Sequence, residues 1–308
     1  MFRTERIRLA FILCSTSVIA AFLFGVGVGV FHWFPYKVLR STYNVVLEPF
    51  LVSSPYVNTS VSIDLPGLET CMLEPIDKVP SNSTVVIGHA YGAPGSDNND
   101  GFISSKVETF LDSKKSKIRI VIFTGDVFRE PTLEKWSKLY RKYHKSFDIY
   151  IAPGNHDVGA ASTREQFLQT PFSLPPGDHK LALLNYIIED SVESNWLISP
   201  KTIGQIRNGR DGKVFLFRHN IPVVEMLEFA NSNEFMSRQL PSVKEFTEQV
   251  GSSKELVVIA GDSGAFEHLP RATCNVFEKI TFISNGIGDV NGDSVLIIDS
   301  GSIFQFVL

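Results

Sequence analysis

The feature of this 308-residue sequence that most constrains its fold is a series of short apolar runs, each followed within a few residues by a polar side chain and most of them by glycine. The first three runs are Thr84–Ile87, Ile118–Phe123 and Ile149–Ala152. Two stretches with helical spacing, Ile103–Leu111 and Leu133–Tyr143, separate them. Strands of the buried type that alternate with helices predict a parallel sheet, so we expect an α/β fold.

The second half of the chain continues the pattern less regularly. Residues 160–212 are mixed in character and include a proline-rich loop at Pro171–Pro176. Further strands are expected after this region, at Val214–Phe217, Leu256–Ala260 and Lys279–Ser284. Two last apolar runs flank a Ser-Gly pair, which predicts a hairpin at the end of the chain.

Polar residues follow five of these predicted strands. Because the carboxyl ends of parallel strands lie at one edge of a sheet, where ligands bind in open α/β folds, we expect these side chains to gather. A mixed set of Asp, Asn and His ligands suits Mn, Fe or Zn and not a thiolate centre. The residues concerned are His89, Asp126, Asn155 with His156, His219 and Asp262.

Such a set indicates a particular chemistry. A carboxylate can bridge two metal ions, and the pair polarises a phosphoryl oxygen and lowers the pKa of a water molecule. A histidine beside the metals can act as general acid on the leaving group. The residue types therefore favour hydrolysis of a phosphoester, with a metal-activated water as nucleophile.

Three motifs resemble, in their order, those of the calcineurin-like metallophosphoesterases. They are Gly125-Asp126, the block Gly154-Asn155-His156-Asp157, and His219 followed by Pro222, and the resemblance covers roughly residues 84–300. It implies a two-sheet βαβ-type sandwich flanked by helices on both outer faces.

The resemblance also implies roles for single residues. Asp126 corresponds to the bridging carboxylate, and Asn155 and His219 correspond to ligands of the second metal. His156 corresponds to the residue that contacts the phosphate and assists the leaving group.

Two motifs depart from the family pattern. Where the family has Asp-x-His, this chain has His89-Ala90-Tyr91, and where the family has Gly-His-x-His, it has Gly261-Asp262-Ser263-Gly264. Asp262 can replace one histidine as an oxygen ligand, but Gly264 cannot replace the other.

The departures predict one divalent transition ion (Mn, Fe or Zn) bound well by Asp126, Asn155, His219 and Asp262. A second ion, at Asp126 with His89 and Tyr91, is expected to be held weakly or not at all. Loop residues that can compensate are Asp97, Asn98, Asp100 and His268.

The N-terminus carries a separate signal. Leu9–Phe31 contains no charged residue and as a helix reaches roughly 35 Å, enough to span a membrane. Arg3, Arg6 and Arg8 precede it, so we expect a cytoplasmic N-terminus at residues 1–8 and a transmembrane signal-anchor helix at 9–34. The alternative is a cleaved signal peptide.

A connector at 35–80 and a phosphoesterase domain at 81–308 are predicted to follow, both outside the cytoplasm. Cys71 and Cys274 lie in this part, where an oxidising space allows a disulfide between them. This location suggests an envelope glycan or lipid as the phosphoester substrate. The net charge of −4 and the absence of a face-sized Lys/Arg excess exclude a nucleic-acid partner.

Two other functions remain as alternatives. The depleted motifs are also what a weakened or inactive phosphoesterase fold would show, one that binds a phosphorylated ligand, a glycan or a protein. Gly261-Asp262-Ser263 resembles the nucleophile block of Gly-Asp-Ser esterases, but only 45 residues follow Ser263, too few to complete that fold.

Overall fold

The computed structural model describes residues 65, 67–92, 101–173, 181, 183–209, 211–228, 240–251, 254–262, 272–289 and 292–308. These residues belong to a unit that spans Val57–Leu308; the other unit, Met1–Tyr56, contains the predicted transmembrane helix and lies outside the described residues. Among the helices within the described ranges, none is long and apolar enough to cross a membrane.

The described residues form a mixed α/β structure with two six-stranded sheets. The strands are β1 Glu69–Thr70, β2 Glu74–Pro75, β3 Ser83–Ile87, β4 Ile118–Phe123, β5 Asp148–Ile151, β6 Tyr186–Ile188, β7 Val214–Arg218, β8 Leu256–Ala260, β9 Ala272–Phe277, β10 Ile280–Asn285, β11 Ser294–Asp299 and β12 Ser302–Val307. The helices are α1 Ser105–Lys114, α2 Leu133–Tyr143, α3 Asn155–Val158, α4 Ala161–Leu168, α5 Pro200–Asn208, α6 Val224–Glu228 and α7 Val243–Val250.

Each sheet has a parallel part and an antiparallel part. One sheet has the order β2-β12-β11-β3-β4-β5, in which β3, β4 and β5 are parallel. The other has the order β1-β9-β10-β8-β7-β6, in which β10, β8, β7 and β6 are parallel. The carboxyl ends of the parallel strands in each sheet therefore lie at one edge, as the sequence pattern predicts.

Each sheet packs against the other sheet on one face and against helices on the opposite face. On β4, Ile120 and Ile122 pack between the two sheets, whereas Val121 and Phe123 join the core under α1 and α2. The strand β7 alternates in the same way, and its other face packs with α5 and α7. Because successive strand residues point to opposite faces, a fully apolar strand is the pattern expected for a sheet covered on both sides.

Helix α2 buries only part of the apolar stripe that its sequence predicts. Helical spacing places Leu133, Trp136, Leu139, Tyr140 and Tyr143 on one stripe. The structure buries Trp136, Leu139 and Tyr143, but Leu133 and Tyr140 are 41% and 39% exposed. The apolar face is therefore narrower than the sequence predicts, because the two outer residues lie at its rim.

Three further features complete the described fold. Strands β1 and β2 occur within the predicted connector and pair with β9 and β12. Cys71 and Cys274 form the disulfide, which joins the segment after β1 to β9. The hairpin predicted at the end of the chain is formed by β11 and β12, and its turn residues Ser300 and Gly301 both have positive φ, as a tight two-residue turn requires.

Candidate metal centre

The strand ends bring the five predicted ligands together. His89 follows β3, Asp126 follows β4, Asn155 begins α3 after β5, His219 follows β7 and Asp262 follows β8. The ligand atoms of Asp126, His219 and Asp262 all lie within 4.8 Å of one another. The two sheets therefore contribute side chains to one shared cluster.

His219 lies at the centre of this cluster. Its Nδ1 is 3.1 Å from the carbonyl oxygen of Thr124, so Nδ1 carries a proton and donates it. This contact fixes the tautomer and leaves the Nε2 lone pair directed at the cluster. Oxygens of Asn155, Asp262 and Asp126 lie 3.1, 3.4 and 3.6 Å from Nε2, respectively.

These separations fit a metal site. Four ligands at about 2.1 Å from a tetrahedral ion lie about 3.4 Å from one another. The distances from Nε2 to the three oxygens scatter around that value. An imidazole nitrogen that faces two carboxylates and an amide oxygen can bind a divalent cation in place of a proton. The structure thus assembles Asp126, Asn155, His219 and Asp262 as the sequence predicts, while their role as ligands stays a prediction.

The charged groups of the cluster shift one another's pKa values. Burial lowers the pKa of His219, but Asp126, Asp262, the Thr124 carbonyl and Asp157 together raise it by more, so the net direction is upward. Burial raises the pKa of Asp126, but His219 and His89 oppose it, and the net direction is downward. Asp126 is therefore a carboxylate, as a ligand must be, and the negative charge of the cluster favours a cation.

Two glycines allow the close approach of these side chains. Gly125 has φ +91°, and a Cβ there would collide with the His219 ring. A Cβ on Gly154 would collide with the Asp126 carboxylate. Each glycine is thus required because a functional residue from another strand end occupies the space beside it.

His156 lies on the open side of the cluster. Its backbone N–H donates to Asp126 Oδ1 at 3.1 Å, and its Nδ1 lies 2.8 Å from the carbonyl oxygen of Arg129. Nδ1 donates in that contact, which leaves Nε2 as the nitrogen that can exchange a proton with a substrate. Asn155 is exposed and His156 half-exposed, whereas Asp126 and His219 are buried, so the cluster opens to solvent on the side of His156.

The position that corresponds to the first metal, at His89, has Asp126 as its one negatively charged neighbour among the predicted ligands. His89 is buried, and its Nε2 lies 3.7 Å from Asp126 Oδ2. Burial lowers the pKa of His89 to about 4, despite the opposing effect of Asp126, so the imidazole is neutral and able to bind a metal. Among the described residues, no further His, Cys, Asp or Glu completes a group of three ligands there.

Tyr91 packs against this position. Its ring centroid is 4.3 Å from that of His89 and 5.3 Å from that of His156. Burial raises the pKa of the Tyr91 hydroxyl, with Asp126 adding to the effect, so the side chain is neutral. The loop residues proposed to compensate, Asp97, Asn98, Asp100 and His268, lie outside the described residues, as does Ser263.

Asp157 has a structural role that the motif alone does not reveal. Its carboxylate accepts hydrogen bonds from the N–H groups of Val127 and Gly154, which ties the loop after β4 to the loop after β5. Burial raises its pKa to about 7, with a further contribution from Asp126. Its place beside His156 in the Gly-Asn-His-Asp block is the sequence signal that points to it.

A buried ion pair beside the cluster is not marked by any of the sequence motifs. Arg218, the residue before His219, is fully buried and lies 2.9 Å from Glu189 Oε2. Its Nη2 donates to the carbonyl oxygen of Trp196 at 2.6 Å. The sequence pattern indicates only that Arg218 lies at the end of an apolar strand.

Comparison with family models and with curated proteins finds no match. Among solved structures, the chain is similar to phosphopantetheinyl hydrolase from Mycobacterium tuberculosis, with 14% sequence identity and a TM-score of 0.39. The alignment covers 69% of this chain and 92% of that one. A likeness this distant carries no functional argument, and the function is inferred below from the site itself.

Proposed function

We propose that this chain is a metal-dependent phosphoester hydrolase of the calcineurin-like metallophosphoesterase type. The observation that carries the proposal is the set of three oxygens, from Asn155, Asp262 and Asp126, around Nε2 of His219. These four residues would hold a divalent ion such as Mn, Fe or Zn. When bound, such an ion supplies Lewis-acid polarisation of a phosphoryl oxygen and lowers the pKa of a water.

The chain's own residues supply the proton transfer. His156 lies beside Asp126, and the carbonyl of Arg129 fixes the orientation of its ring through Nδ1. Nε2 of His156 then donates a proton to the oxygen of the leaving group. Asp157 keeps the loops that carry Asp126 and His156 in register through its two backbone contacts.

The first experiment separates metal binding from catalysis. The full chain, purified in detergent, is assayed with p-nitrophenyl phosphate in the presence of added Mn, Fe or Zn. Asp126→Ala should lose both bound metal and turnover. His156→Ala should keep the metal and lower kcat by about 10² to 10⁴-fold. His144→Ala is the matched control, since His144 is an exposed histidine at the end of α2, and it should behave as wild type.

The second candidate function is a binding module with little or no catalysis. The observation that favours it is the position at His89 and Tyr91, which shares one carboxylate and has two neutral side chains. Elemental analysis of the purified chain decides how many ions are held. One retained ion with turnover supports a hydrolase with a single well-formed metal position. One retained ion without turnover of any aryl phosphate supports the binding module.

We further propose that the domain lies outside the cytoplasm, on a chain anchored by residues 9–34. The disulfide Cys71–Cys274 supports this, because such bonds persist in oxidising spaces. An envelope glycan or lipid phosphoester is the substrate class that fits this location. Protease protection in sealed membrane vesicles tests the topology, and the N-terminal mass of the purified chain distinguishes an anchor from a cleaved signal peptide.

A further inference from the structure

An aromatic side chain with no assigned role lies beside the candidate metal centre. The indole centroid of Trp196 is 6.1 Å from the ring centroid of His219, with the planes tilted by 41°. Trp196 is half-buried, whereas His219 is fully buried. Trp196 thus keeps some solvent exposure next to a residue that would bind the phosphate-activating ion.

Trp196 adopts a backbone conformation that bulky residues rarely take. Its φ is +71°, and the residue before it, Asn195, has φ +51°. Left-handed conformations of non-glycine residues concentrate at functional sites, where the surrounding structure must hold them in place. The N–H of Trp196 donates to the carbonyl oxygen of Ser191 at 2.7 Å, which closes the turn that carries the indole.

The buried ion pair holds this turn in position. Arg218 Nη2 donates to the carbonyl oxygen of Trp196, and its Nη1 lies 2.9 Å from Glu189 Oε2. Glu189 Oε1 in turn accepts from the N–H of Ser199 at 2.9 Å, at the far end of the loop. Because Arg218 directly precedes His219, the position of the indole is coupled to that of a predicted ligand.

We propose that Trp196 is a specificity-determining residue whose indole stacks against a flat ring carried by the phosphoester. The inference rests on the proposed function, because a phosphate held at the metal centre is what brings its substituent alongside the indole. Aromatic side chains stack with rings at centroid distances of 4.5–7 Å, and a Trp face accepts any ring with a flat apolar surface. The substituent is an aryl group, a nucleobase, or a sugar that presents one face of its ring.

The test measures binding, so that it does not depend on turnover. Calorimetric titration of the metal-loaded full chain compares inorganic phosphate, methyl phosphate, phenyl phosphate and glucose 1-phosphate. We expect phenyl phosphate, glucose 1-phosphate or both to bind about tenfold more tightly than methyl phosphate, since stacking of a base on an aromatic side chain contributes roughly 5- to 150-fold in affinity. The second readout is the part of the ligand-induced quenching of tryptophan fluorescence that Trp196→Asn removes, because the chain contains three tryptophans.

The variants isolate the indole from the turn that carries it. Trp196→Asn removes the ring but suits a left-handed backbone, so the loop should stay folded and the ring preference should vanish. Trp196→Phe should keep part of the preference. Leu197→Ala is the matched control, because Leu197 is the next residue and is 41% exposed, and it should leave the preference unchanged.

Each outcome decides the inference. A preference for phenyl phosphate alone supports an aromatic substituent, and a preference for glucose 1-phosphate alone supports a sugar. If phosphate binds but the wild type shows no ring preference, or if Trp196→Asn keeps that preference, the inference is wrong and the proposed function stands. If inorganic phosphate does not bind and aryl phosphates are not hydrolysed, the proposed function fails and the inference fails with it.

Discussion

Thermal unfolding with and without metal is the most direct measure of whether the cluster at His219 is a metal site. A ligand that binds only the folded state stabilises it by about 2.7 kcal/mol at a concentration of 100 Kd. For a domain of this size, each 1 kcal/mol raises Tm by about 2–4 °C, so the shift on adding a matched ion should be roughly 5–11 °C. Differential scanning fluorimetry in chelator and in Mn, Fe or Zn measures it.

Asp262→Asn gives the size of one ligand's contribution. The substitution keeps the shape of the side chain but removes the charge that lies 3.4 Å from His219 Nε2. If the affinity falls by about 100-fold, the same metal concentration equals the new Kd, and the stabilisation drops to about 0.4 kcal/mol. The Tm shift should then shrink to roughly 1 °C.

The control is an aspartate of the same kind outside the cluster. Asp112 lies on α1, is paired with Lys142 and is substantially exposed. Asp112→Asn should therefore keep the full metal-dependent shift. A wild-type Tm that does not respond to any of the three metals, or an Asp262→Asn shift equal to that of wild type, would contradict the assignment of the site.

Three further predictions concern residues that shape the fold around the site. Arg218→Met should lower the free energy of unfolding by about 3–5 kcal/mol in urea titrations, because it leaves the Glu189 carboxylate buried and unpaired, and adding Glu189→Gln should recover part of the loss. Gly125→Ala should abolish metal retention in elemental analysis, since the new Cβ occupies the space of a predicted ligand's ring. The N–H and Oγ of Ser242 donate hydrogen bonds to the Glu245 carboxylate and lower the pKa of Glu245, so the ionised side chain stabilises α7 at neutral pH. Glu245→Gln should therefore destabilise the chain at pH 7. In urea titrations below about pH 4, the difference in stability between the variant and wild type should narrow, because Glu245 becomes protonated there.

The parts of the fold that sequence predicts best are the strands buried on both faces. The runs at β3, β4, β7 and β8 consist mostly of buried apolar residues, with Thr84, Arg119 and Arg218 among the few polar ones, so their own pattern is enough to indicate strands. The carboxyl ends of β3, β4 and β8 are marked by glycine with a polar residue, and that of β7 is marked by His219. For that reason the convergence of Asp126, Asn155, His219 and Asp262 follows from the sequence once a parallel arrangement is assumed.

The elements that sequence does not predict are stabilised by tertiary contacts. Strand β6 has three residues, and β9 places the buried polar residues Thr273 and Asn275 within the run. Short or polar strands are favoured by the sheet that flanks them more than by their own pattern. The position of Trp196 is a similar case, because it depends on a hydrogen bond from Arg218, which lies 22 residues away in the chain.

Charge explains why the proposed site should favour one ion. The first family motif normally contributes a carboxylate, and here its place holds His89, which burial keeps neutral. The last motif normally contributes a histidine, and here its place holds Asp262, beside the carboxylate of Asp126. Compared with the motifs that the sequence resembles, this chain has one negative charge fewer at the first position and one more at the second. A divalent ion at His219 would therefore be neutralised by two carboxylates. An ion at His89 would have only the shared oxygen of Asp126, and burying it without full charge compensation is unfavourable. The same differences that weaken the resemblance to a two-metal site would therefore complete the proposed site for one ion.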